Sequence, residues 1–215
     1  SLLVLVLSVL LMGELNAQKS YNALPKYAAT SLKGDAAILK KVLEANHPSL
    51  YWYTPKQQLD SAFDNMFNSI SDSLNEIEFR NKVAPWVAMI KCGHTTALYS
   101  KKFIKELPPY RYPRFPLQIK FWEDSAVVLS NGYYKDSIIQ RGTIVQTINN
   151  KPVAYYRDYL FKQITTDGYA INHQYQTLSS SFPDSYKQVF GVDSTYLIGY
   201  INQAGKADVI SLGNF

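Results

Sequence analysis

The sequence predicts an α+β fold: an amino-terminal helical bundle, then a β-rich domain, then a helical segment and a hairpin. Three observations predict it. Apolar residues recur at three- and four-residue spacing in successive stretches between residues 35 and 98. From Phe115 onward the pattern becomes short β-branched and aromatic runs separated by turn residues. Between the two lies "KELPPYRYPRFP", whose prolines favour an extended connector. At 215 residues and 47% apolar content, the chain has room for one large domain or two small ones.

The first residues, "SLLVLVLSVLLMGELNAQKS", hold an apolar run from Leu2 to Met12 that is too short to span a bilayer. Followed by small residues near Ala17, it reads as a secretory signal over residues 1–17, and it predicts export to the periplasm or beyond. No cysteine stands near the cut, so no lipid anchor and no stable membrane anchor are expected. Residues 18–34 read as a polar entry segment.

Within the helical region, residues 35–98, "GDAAILKKVLEANHP" predicts a helix capped by Asp35, with Ile38, Leu39, Val42 and Leu43 on one stripe and Pro48 as the stop. His47, beside that proline, reads as a helix-end residue meeting orphan carbonyls. "TPKQ" announces a second helix with Thr54 as cap and Gln57 reaching back, and Leu59, Phe63, Met66, Phe67 and Ile70 form its stripe. The third, capped by Ser73 or Asn75, carries Phe79, Val83, Trp86, Val87 and Ile90, with a kink expected at Pro85. It breaks at Gly93, and "TTALYS" reads as strand.

Residues 99–114 form the expected connector. Residues 115–166 predict a compact β-rich domain: "PLQIKFW", "SAVVLS" and "GTIVQTINNKPV" as strands, a turn at Asn149-Asn150, and "AYYRDYLFKQI" as a closing helix. Over residues 167–215 a helix interrupted at Pro183 precedes a hairpin turning at Gln203 to Gly205.

Composition excludes several functions. The formal net charge is +5, but basic residues are dispersed, with pairs only at Lys40-Lys41 and Lys101-Lys102, so nucleic acid is not an expected partner. A single cysteine, Cys92, rules out an intrachain disulfide and reads as a buried small residue. His47, His94 and His173 are irregularly spaced, so no metal site is expected; no glycine-rich phosphate loop appears, and no cofactor is called for. His173 lies in a polar helical stretch and reads as surface. Seventeen tyrosines and three tryptophans are a weak pointer to a polymer-binding cleft.

His94 is the candidate that chemistry singles out. In "IKCGHTTAL" it stands where a helix pattern ends. Acyl transfer to a serine needs a base that titrates near working pH and is oriented by its neighbours. Helix-end carbonyls and the hydroxyls of Thr95 and Thr96 are the orienting groups that the sequence offers. The same surroundings equally describe a corner histidine satisfied by those carbonyls.

Together, "HPSLYWYTPKQQLDSAFD", "KCGHTTAL" and "GTIVQTINNKPV" resemble the amino-terminal half of the carboxyl-terminal processing, or tail-specific, serine peptidases. The likeness runs over roughly residues 35 to 200 and is nearest the exported bacterial branch whose arrangement is similar to the tricorn protease core. It implies that residues 115–166 are a PDZ-like domain, with Gly142 to Val153 as its glycine-led strand and hairpin. Residues 167–215 would then lead into an α/β peptidase core. It implies a serine endopeptidase acting on protein or peptide, with His94 as catalytic base and the nucleophilic serine outside these residues. In the family's serine/lysine branch His94 would be structural. A non-catalytic extracytoplasmic peptide-binding adaptor is the alternative.

Overall fold

In the computed structural model, which describes residues 24–106 and 113–215, the two apolar sets become two cores. The expected signal peptide and the centre of the connector lie outside the described residues. Among those described, no helix is long and apolar enough to cross a membrane.

The helical core is built by α1 (Ala29–Asn46), α2 (Lys56–Asn68) and α3 (Glu76–Ala88). Helix α1 begins at Ala29, six residues before the expected Asp35 cap, and so takes in the end of the entry segment. Its apolar stripe is also rotated from expectation. Leu32 and Ala36 are buried and Leu39 and Leu43 pack beside them, whereas Ile38 and Val42 are 61% and 51% exposed. The 4-3-4 spacing of the first set holds one face, and Ile38 and Val42 fall off it.

The capping box expected from Thr54 and Gln57 is absent. Pro55 is the N-cap of α2, and Thr54 instead donates from Oγ1 to the Met89 carbonyl at 2.5 Å, tying the start of α2 to the end of α3. Leu59, Phe63, Met66 and Ile70 are buried as the stripe requires. Asn75 is the cap of α3, with the reciprocal bond from Glu78 completing a capping box.

Pro85 lies inside α3. A proline leaves the carbonyl four residues earlier without its helical donor. That carbonyl belongs to Asn81, and the buried Gln163 donates to it from Nε2 at 3.4 Å. The same device recurs in α6 (Ile171–Phe190): Pro183 frees the Ser179 carbonyl, and the Gln118 side-chain amide takes it. The helix bends at Ser181 (φ −129°, ψ 16°), two residues before the proline expected to interrupt it.

The expected strand "TTALYS" does not form: among the described residues no strand pairs with it, and Ala97 gives its carbonyl to Arg80 instead. Lys101–Glu106, read as connector, is a short helix, α4.

Six strands make one antiparallel sheet: β1 (Leu117–Phe121), β2 (Ala126–Asn131), β3 (Ile144–Ile148), β4 (Lys151–Pro152), β5 (Thr195–Ile201) and β6 (Ala207–Gly213). The order is β1-β2-β3-β5-β6, with the short β4 pairing to β3. Asn149 and Asn150 turn between β3 and β4 with φ of 48° and 62°, the left-handed pair that a tight hairpin needs. The fold is therefore α+β, as the sequence predicts.

Where residues 167–215 were expected to leave this unit for another core, they complete it. β5 pairs with β3 from Ile144↔Ile201 to Ile148↔Ile198. Tyr196, Ile198 and Leu212 join Phe115, Leu117 and Ile119 in one core, over which α5 (Val153–Phe161) and α6 pack. Helix α6 also covers the edge of β1 that faces away from β2: the Phe121 N–H donates to Ser179 Oγ at 3.0 Å. Past β6, Phe215 exchanges two backbone hydrogen bonds with Arg114, of 3.0 and 2.7 Å, bringing the far end of the sheet round to the lead-in of β1.

Candidate functional site

The segment Lys91 to Ala97 leaves α3 and crosses the junction of the two units. It is held from both sides. Lys91 adopts φ 56°, a left-handed conformation unusual for a side-chain-bearing residue, and its carbonyl accepts from Gly168 N at 2.9 Å. The Gly93 N–H donates to Asp167 Oδ1 at 2.6 Å. The Thr96 and Thr165 hydroxyls meet at 3.0 Å. From the helical side, Arg80 Nε donates to the Ala97 carbonyl at 3.1 Å, and its Nη1 reaches Gln163 Oε1 at 3.0 Å. Burial lowers the Arg80 pKa from its ordinary value.

His47 supplies the remaining tie. The Ser49 N–H donates to its Nδ1 at 3.2 Å, so the neutral ring carries its proton on Nε2, which stands 3.0 Å from Thr95 Oγ1. The sequence reading gave this ring to helix-end carbonyls; the fold turns it toward the loop that bears His94.

His94 itself is exposed, and none of these bonds involves its ring. The groups expected to orient it are engaged elsewhere. The Met89 and Lys91 carbonyls take Thr54 and Gly168, while Thr95 and Thr96 face His47 and Thr165. The structure therefore holds the backbone of His94 firmly and presents its imidazole outward.

Cys92 is half-buried against the helical core, and His173 is exposed on α6, 3.4 Å from Thr177 Oγ1. The three histidines do not converge on one ligand set; among the described residues no group of three histidines, cysteines, aspartates or glutamates could hold a metal ion.

Beside the loop opens a cavity of about 540 Å³, within the range of ligand pockets. Met89 and Ala88 from the end of α3, Phe161 and Ile164 after α5, and Ile171 at the start of α6 give it apolar walls; Lys91 and Lys162 are its cations. At its rim, Tyr169 is 74% exposed, meets Tyr53 edge-on at 5.9 Å and lies 3.8 Å from Lys91 Nζ. Sequence reasoning missed Asp167, Thr165, Gln163 and this cavity. The Asp167-Gly168 pair does signal a turn, but nothing local ties it to a loop 74 residues earlier.

No family model and no curated protein matches the chain. Among solved structures it is similar to CPAF, a chlamydial serine protease. A serine-to-alanine mutant of CPAF superposes with a TM-score of 0.58 at 12% identity, over 86% of this chain and 34% of that one. Mature CPAF gives 0.53 at 11% identity, again over 86% and 34%. Mature CPAF complexed with lactacystin gives 0.59 at 10% identity, over 86% and 35%. The chain thus spans about a third of the length of these structures. It has a fold found in a protease, and at such identity the likeness is one of fold.

Proposed function

We propose that the chain is the amino-terminal part of an exported serine endopeptidase and that His94 is its general base. The observation that carries this reading is the contrast at the Lys91–Ala97 loop: a backbone clamped by both units bears an exposed imidazole that none of those clamping bonds uses. Such a group is placed to serve a partner brought to it from outside.

In the proposed reaction a serine hydroxyl, supplied by polypeptide beyond these residues, attacks the scissile carbonyl as His94 takes its proton. The imidazolium then gives that proton to the leaving amine. Backbone amides of the catalytic core hold the oxyanion. The PDZ-like role of the sheet unit supplies peptide docking. Strand addition would fall to β6, since α6 occupies the edge of β1. The first 17 residues direct the protein out of the cytoplasm.

The test is peptide cleavage by the complete gene product and by its His94→Ala form. Loss of a general base from a serine mechanism is expected to lower kcat by about 10³-fold or more. Undiminished turnover in the mutant removes His94 from the mechanism, and peptide binding with no cleavage by the unmutated protein leaves the adaptor.

A further inference from the structure

We propose that the cavity between the two units is a docking site for a polypeptide whose bulky apolar side chain fills it and whose flanking acidic side chains pair with Lys91 and Lys162. This rests on the peptidase reading, which it deepens by naming the substrate segment that the site takes.

Three features carry the proposal. First, the walls from α3, the end of α5 and the start of α6 are apolar, and a pocket of about 540 Å³ accommodates a large side chain with its backbone outside. Gln174 adds no unmet polar group, because its amide nitrogen already donates to the carbonyls of Phe161 and Ile164 at 3.0 and 3.3 Å.

Second, the charge is one-sided. Lys91 and Lys162 line the cavity, and among the described residues no carboxylate does. Of the two acids closest to Lys162 in sequence, Asp158 pairs with Arg157 at 2.8 Å and Asp167 is turned to the Gly93 N–H. Lys91 instead lies against the Tyr169 ring, and among the described residues no carboxylate forms an ion pair with it. A ligand with acidic flanks supplies the charge that the site lacks, and one with basic flanks meets repulsion.

Third, the rim is apolar and open: Tyr169 is 74% and Ile171 48% exposed. The cavity also shares its lining with the candidate base's support, since Lys91 and Gly168 both line it and are joined backbone to backbone. A chain anchored there runs past the His94 loop.

The experiment uses the complete gene product carrying His94→Ala, so that binding is read without turnover. Fluorescein-labelled peptides blocked at both ends, with a central Phe between two Glu, are compared by anisotropy with versions carrying Lys for Glu or Gly for Phe. A fourth probe ends in Phe with a free carboxylate and has no acidic side chain. The Glu-flanked peptide is expected to bind at least tenfold tighter than the Lys-flanked and the Gly versions. A combined Lys91→Glu and Lys162→Glu variant is expected to reverse the charge preference. Because Ile171 is exposed at the first turn of a helix, where an acidic residue is favourable, Ile171→Asp should fold normally and weaken the Glu-flanked peptide at least tenfold.

Equal binding of the Glu- and Lys-flanked peptides overturns the proposal, as does an unchanged affinity in Ile171→Asp. Preference for the free-carboxylate probe overturns it in favour of a terminus-binding site. If these bindings hold while the unmutated protein cleaves nothing, the peptidase reading fails and the docking site stands.

Discussion

Replacing Phe182 with alanine tests whether α6 belongs to the sheet's core or is an appendage to it. The side chain is fully buried, with ring centroids 5.2 Å from Phe115, 4.9 Å from Phe121 and 5.9 Å from Tyr186. Truncating a buried phenylalanine costs about 3–5 kcal/mol. The upper part of that range is expected, because the surrounding rings are themselves fixed by one another and cannot collapse into the space, and each aromatic pair adds about 0.5–1.5 kcal/mol. Taking about 4 kcal/mol, with roughly 2–4 °C per kcal/mol for a chain of this size, the melting temperature should fall by about 8–16 °C.

The assay is urea and thermal unfolding followed by far-UV circular dichroism. Hydrogen exchange at the Phe121 amide provides a local reading, since Ser179 on the same helix accepts from it. Removing the exposed ring of Tyr134 should change stability by no more than about 0.5 kcal/mol. A loss below about 1 kcal/mol for Phe182→Ala would refute the reasoning, since ordinary surface changes fall in that range. The sheet would then be closed without α6.

Other outcomes follow from the same contacts. Asn75→Ala should cost about 1 kcal/mol, because the buried cap loses the side-chain oxygen that accepts from the Glu78 N–H while its own backbone N–H can still donate to the Glu78 carboxylate, and a loss under about 0.3 kcal/mol would mean the cap is not stabilising α3. Asp167→Ala removes the acceptor of the Gly93 N–H; being exposed, it should cost only about 0.5–1.5 kcal/mol, read as faster hydrogen exchange at Gly93, and unchanged protection there would show that the carboxylate does not clamp the loop. Burial raises the Tyr196 hydroxyl to about 12 and raises Tyr156 and Tyr186 as well. These folded-state values lie above the unfolded value of about 10, so the stability linked to them is complete below pH ~10 and is lost as pH rises toward the folded values. The urea midpoint should fall between about pH 10 and 12, and Tyr196→Phe should flatten that fall; a midpoint constant to pH ~12 would contradict the burial.

Much of the architecture is legible along the chain because it is set by neighbours in sequence. The stripe Leu59, Phe63, Met66 and Ile70 needs only helical period to bury one face. Asn149-Asn150 needs only residues that tolerate positive φ, and the strands on either side follow from alternation. Asp35 and Thr54 show where local reading stops. Both are good caps by residue type, yet burial of Leu32 and Ala36 draws α1 back to Ala29, and Met89 offers Thr54 a carbonyl that no nearby residue does.

His94 was visible from its place between Gly93 and two threonines, where a helix pattern ends, but its setting was not. Its loop is defined by His47 and Arg80, brought to it by the packing of the helices, and by Thr165 and Asp167, which approach it only when the two cores meet. Gln163 and Gln118, which fill the carbonyls freed by Pro85 and Pro183, carry no sequence mark of that task. Sequence by itself determined the α+β order of elements, the two apolar sets and the candidate base, since these depend on period and residue type. Tertiary structure alone decided that residues 167–215 finish the sheet, that α6 shuts the edge of β1 and that a cation-lined cavity opens beside His94, because each rests on contacts between residues that the chain keeps far apart.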